Sequence, residues 1–183
     1  TASNNTAVGK FALRLNTTGL NNVGVGSGAL DANTTGNNNT ALGTNALSAN
    51  TTAEANTGLG LNTLLVNTTG ASNVAVGSQA LDANTTGSFN VAMGVNALGS
   101  NTTAEHNTAI GNNTLSSNTT GTDNTAVGAG ALDAVTTSSF NTAVGRNALG
   151  ATTGEGNTGV GRESLSANSS GADNTAVGKG SLQ

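Results

Sequence analysis

The chain has 183 residues, a formal net charge of -4, 8% charged and 2% aromatic residues, and no Pro, Cys, Trp or Tyr. The missing Cys excludes a disulfide framework and thiolate zinc sites. Five Lys and Arg in all exclude the basic, aromatic-interleaved face of a nucleic-acid binder. No apolar run is long enough for a membrane-spanning helix, and no signal peptide is read within the segment.

The first predicted element is a short strand at a phrase that reads Asn, Thr or Val, Ala or Gly, an aliphatic residue, then Gly. It begins at Asn5, Asn22, Asn39, Asn56, Asn73, Asn90, Asn107, Asn124, Asn141, Asn157 and Asn174, seventeen residues apart except for one step of sixteen. Its second and fourth positions share one side of a strand, as Val74 with Val76. The aliphatic fourth residue is expected inside and the small third residue outside. The Gly that follows turns the chain, because Gly reaches positive φ without steric cost.

Next comes a Leu, at Leu13, Leu30, Leu47, Leu64, Leu81, Leu98, Leu115, Leu132, Leu149, Leu165 and Leu182. A second short strand is predicted there, closing the core. The following Asn-Thr-Thr-Gly has turn chemistry. A helix is excluded by a Gly in every unit and by the lack of a sustained 3.6-residue stripe.

A unit this short buries its apolar side only by stacking on neighbours. The fold class is therefore all-β: a parallel β-solenoid of about eleven 17-residue coils, residues 1–183 forming one repeat domain and a segment of a longer fibrous protein. Coils stack about 4.8 Å apart, giving a rod roughly 50 Å long. The first-position Asn residues should form a ladder of hydrogen bonds along it. Low net charge and registered apolar positions argue against disorder.

A longer period of three repeats is also present. Asp31, Asp82 and Asp133 share one coil position, as do Glu54, Glu105 and Glu155. Three coils separate such charges by roughly 14 Å, beyond the screening length of about 8 Å. Carboxylates so spaced share no calcium ion. His106 sits in a variable turn beside Glu105, and no Ser or Thr stands out as a nucleophile with its own base. Catalytic, cofactor and metal sites are thus none, and the segment is read as a non-enzyme.

Two repeated surfaces remain. Thr-Thr pairs, from Thr17 and Thr18 to Thr152 and Thr153, raise an ice-binding solenoid as an alternative. That use wants two outward Thr flanking an inward residue, whereas adjacent Thr point to opposite sides. The sequons at Asn16, Asn33, Asn50, Asn67, Asn84, Asn101, Asn118 and Asn168 raise a glycosylated extracellular filament as another, against a turn Asn capped by its own neighbours.

The phrase at residues 124–128 and 141–145, with Ala-Leu and Asn-Thr-Thr-Gly in the repeat, resembles two related groups. One is the head repeat of trimeric autotransporter adhesins. The other is the repeat of phage tail fibres and bacterial surface proteins. The resemblance implies a left-handed β-roll, three chains side by side, and an adhesive or spacer role at a cell or virion surface, with a host-surface glycan or protein as receptor. The autotransporter repeat is commonly fourteen residues, so the coil outline differs. The small third residues (Ala7, Gly24, Ala41, Gly58, Ala75, Ala92) suggest a smooth face for homotrimer packing. Neither nucleic-acid binding nor membrane insertion by this segment is expected.

Overall fold

The computed structural model describes residues 2–183. Its strands are β1 (Thr6–Val8), β2 (Val23–Val25), β3 (Thr40–Leu42), β4 (Thr57–Leu59), β5 (Val74–Val76), β6 (Val91–Met93), β7 (Thr108–Ile110), β8 (Thr125–Val127), β9 (Thr142–Val144), β10 (Thr158–Val160) and β11 (Thr175–Val177). Each pairs in parallel with the next, forming one sheet in sequence order. The register is one repeat, as Val74↔Val91 and Ala75↔Ala92. Where the repeat loses a residue, Thr158 still meets Thr142. The protein is an all-β parallel solenoid, with no helix among the described residues.

The predicted Leu strand is replaced by tight turns. Ala29 N–H donates to the Gly26 carbonyl at 3.3 Å and Asn33 N–H to the Leu30 carbonyl at 3.1 Å. Between these turns Leu30 sits at φ 53°, and the matching Leu of every coil is likewise left-handed. That conformation costs an L-residue about 1–2 kcal/mol. Full burial of a Leu side chain returns about 1.5–3 kcal/mol. Leu30 through Leu149 are wholly enclosed and Leu165 is 2% exposed, so burial wins. From Leu13 to Leu165 each Leu also donates its N–H to the next coil, as Leu30 to the Ala46 carbonyl at 3.0 Å. Stacking, rather than a second strand, satisfies the backbone there.

The strand faces are the reverse of the expectation. The third-position residues Ala41, Ala75, Ala92, Ala109, Ala126 and Ala143 are fully buried. The aliphatic fourth positions face out: Leu42, Met93, Ile110 and Val144 are exposed, and Val25, Leu59, Val76 and Val127 half-buried. The physical reason is volume. A Cβ built on Gly24 would lie 3.4 Å from the Leu13 Cγ, and one on Gly58 3.5 Å from the Leu47 Cδ1. The Leu fills the coil, and only Ala or Gly fits opposite it. A homotrimer contact through the Ala/Gly face is therefore ruled out, because that face is the core.

Candidate functional site

The outward strand face is one continuous surface. Its two rows are the second-position Thr or Val and the fourth-position aliphatic residue, flanking an enclosed Ala or Gly. In-register pairing stacks Val76 on Met93 and Met93 on Ile110. Neither row holds a charged residue in any coil. Leu61 and Val95, just past the corner Gly, extend the apolar surface to its flank at 50% and 48% exposure. Contiguous exposed apolar surface is the kind from which interaction faces are built.

The opposite property, a buried polar seam, runs at the corner before each strand. First-position Asn residues from Asn22 to Asn157 are wholly enclosed. Asn39 N–H donates to the Asn22 Oδ1 at 2.9 Å, and Asn39 Nδ2 donates to the Ala53 carbonyl at 2.8 Å. A second Asn ladder adjoins it. Asn50 Nδ2 donates to the Asn33 Oδ1 at 2.8 Å and to that same Ala53 carbonyl at 3.2 Å. Both ladders thus satisfy groups that would be costly if buried unpaired.

This second ladder is built from the sequon residues, which corrects the glycan reading. Asn33, Asn50, Asn67, Asn84, Asn101 and Asn118 have no exposed surface. Their amides, where a glycan would attach, are spent inside the rod. At its ends, Asn16 and Asn168 are half-buried, and each donates to a carbonyl three residues on at 3.0 Å. Three further Asn-x-Thr sites, at Asn4, Asn38 and Asn112, fall outside the repeated sequon pattern and lie exposed on turns. The Asn ladder breaks where the sequence does. Val135 occupies one slot, and Thr152 moves into the next after the deletion, accepting from Asn168 Nδ2 at 3.2 Å. Asn118 Oδ1 is left buried without a partner.

The Thr-Thr pairs fill a turn. From Thr34 to Thr119 the first hydroxyl donates to the next coil, as Thr34 Oγ1 to the Thr51 carbonyl at 3.0 Å, and in these pairs only the second Thr is exposed. The exposed His106 ring stacks on Phe89 at 5.1 Å, with planes 4° apart. Among the described residues, no three of His, Cys, Asp and Glu gather within reach of one metal ion, and no pocket opens.

The third-coil acids differ in environment. Arg14 holds Asp31 with two bonds of 2.8 and 3.1 Å. Asp82 and Asp133 lack such a partner, and partial burial raises both above the ordinary 3.8, opposed by bonds from their own and the following N–H. Because the folded value is raised, ionisation works against folding. That penalty is present at neutral pH and relieved as pH falls through the raised value. The double variant Asp82→Asn, Asp133→Asn should therefore gain about 0.5 kcal/mol or less at pH 7, given the solvent screening of half-exposed groups. The gain should fade towards pH 3. Thermal melting across pH checks this, and a pH-independent difference refutes it.

Comparison with family models, curated proteins and solved structures finds no match to this chain.

Proposed function

We propose that the chain is a non-enzymatic structural and adhesive fibre segment, displayed outside the cell or on a virion tail, with three copies packed along the aliphatic strand face. One observation carries this reading: the outward row of Val, Leu, Met and Ile recurs in every coil without a charge. Burying such a row gains about 25 cal/mol per Å². A second copy carries the same coil period, so the face matches it coil by coil over the full rod. The resemblance to trimeric adhesin heads and tail-fibre repeats supplies the number three and the surface location. Adhesion would arise from many weak contacts on a rigid rod, where avidity multiplies single-site affinity.

Sedimentation equilibrium tests the assembly. The chain is expected to sediment as a trimer. Val76→Glu combined with Ile110→Glu should yield monomers with an unchanged circular dichroism spectrum, since both side chains face outward and stand two coils apart. A wild-type monomer at micromolar concentration would overturn the proposal.

An ice-binding solenoid is the second reading. It is favoured by the eight coils, from Thr6 to Thr175, whose strand presents an outward Thr beside an outward aliphatic residue. It is opposed by Val23, Val74 and Val91, which interrupt that Thr row. Thermal hysteresis from the isolated chain would decide for it.

A further inference from the structure

At any one coil position the solenoid keeps like charges well apart, with a single exception. Asp31, Asp82 and Asp133 stand three coils apart, as do Glu54, Glu105 and Glu155, and also Asp123 and Asp173. The position after the corner Gly holds Ser27, Thr44, Leu61, Ser78, Val95, Asn112 and Ala129 through the middle of the rod. It then becomes Arg146, Arg162 and Lys179 in three consecutive coils. The backbone keeps these in stacking register: Glu163 N–H donates to the Arg146 carbonyl at 2.9 Å, and Gly180 N–H to the Arg162 carbonyl at 3.0 Å. Like charges at neighbouring strand positions destabilise a sheet. All three cations are exposed.

A single carboxylate sits among them. Arg162 pairs with Glu163 at 2.8 Å, with both side chains partly exposed. The Glu163 carboxyl is held below its ordinary value, first by this bond and also by the charges of Arg162, Arg146 and Lys179. Three cations therefore act on one spot. An exposed pair of this kind is readily exchanged for another anion.

We propose that Arg146, Arg162 and Lys179 form a binding strip for a linear anionic polysaccharide bearing one carboxylate or sulfate per sugar. The strip is one residue wide and rises about 4.8 Å per coil, close to the length of a pyranose ring. A single extended polymer strand lying along the rod axis would meet one cation per sugar. An anionic membrane wants a broad basic face, and this chain has a net charge of -4. A nucleic acid wants aromatic stacking partners, and Phe11, Phe89 and Phe140 lie in other coils. The proposal does not depend on the oligomeric state, which sedimentation reads separately.

The test is binding of the 183-residue chain to polygalacturonate and dextran sulfate at low salt, with neutral dextran, phosphatidylserine vesicles and oligothymidylate as competing probes. Ser fills this position in the coils of Ser27 and Ser78, so Arg146→Ser, Arg162→Ser and Lys179→Ser together fit the coil. The triple variant should bind the charged polysaccharides at least about tenfold more weakly, with a shallower salt dependence. Lys10→Ser with Arg14→Ser, at the other end of the rod, should leave binding unchanged. The proposal is overturned by equal binding of the triple variant or of neutral dextran, by preference for vesicles or oligothymidylate, or by no binding at all.

Discussion

Gly94→Ala is expected to cost more than about 4 kcal/mol, the range reserved for severe backbone or packing faults. Gly94 lies at φ +142, where L-residues are strained, and a Cβ there would sit 2.5 Å from the Gly111 carbonyl carbon and 3.1 Å from Asn112 N. These are backbone atoms of the next coil, so no side chain can swing aside. Relieving the clash means parting β6 from β7, which breaks the sheet ladder in mid-rod. Gly178 separates the two contributions. It has φ +124, but a Cβ added there would meet nothing within 4 Å. Gly178→Ala should therefore show conformational strain alone, about 1–3 kcal/mol. Hydrogen exchange is the suitable measurement, because a stack of near-identical coils opens locally rather than all at once. Amides on both sides of the Gly94 corner should lose protection in Gly94→Ala. A loss no larger than that caused by Gly178→Ala would show that inter-coil closeness does not fix this residue.

The coil itself is legible in the sequence because its signals are periodic. The spacing of Gly and Leu marks one turn of chain, and a strand of three residues fits between the Asn and the Gly. The inward side of that strand is not legible in the same way. Alternation gives the parity of the faces but not the choice between them, and hydrophobicity favours the aliphatic row. Volume decides otherwise. The useful sign is variability: the fourth position moves among Val, Leu, Met and Ile, as an outer face tolerates, while the third never exceeds Ala. A residue fixed in size is confined, and one that varies in size is not.

The left-handed Leu is hidden for a different reason. Leu is rarely found at positive φ, so its conformation cannot be read from residue type. It follows from the stack, in which two tight turns and a buried side chain together outweigh local strain. The sequons mislead in a related way. Asn-Thr-Thr-Gly does form the turn that composition predicts, but the turn folds its Asn inward. A glycan row and an Asn ladder require the same amides, and the rod uses them for the ladder. By contrast, the charge pattern needs no fold to be seen. Only the stacking register, however, turns Arg146, Arg162 and Lys179 into neighbours.

Exchanging Asn and Val within the second ladder should change stability in opposite directions at two positions. Asn84 Nδ2 donates to the Asn67 Oδ1 at 2.8 Å, and Asn84 Oδ1 accepts from Asn101 Nδ2 at 2.8 Å. Asn84→Val would strand a buried acceptor on one side and weaken the satisfaction of a buried donor on the other. The Gly87 carbonyl would keep its bond from Asn73 Nδ2 at 2.8 Å, so the damage is confined to the ladder. A loss of about 2–4 kcal/mol is expected, at about 1–3 kcal/mol per unpaired group. Val135 occupies the matching slot, fully enclosed, beside the unpartnered Asn118 Oδ1. Val135→Asn introduces a side chain of similar size whose amide can donate to that oxygen. Its own Oδ1 would face the slot of Thr152, whose hydroxyl can donate. That substitution should stabilise the chain by about 1 kcal/mol, the net worth of an added hydrogen bond. Denaturant unfolding of both variants, with hydrogen exchange to locate the change, gives the signs. If Val135→Asn destabilises as Asn84→Val does, apolar packing rather than the amide ladder holds this corner. Opposite signs would identify the Asn seam as the element that keeps successive coils in register.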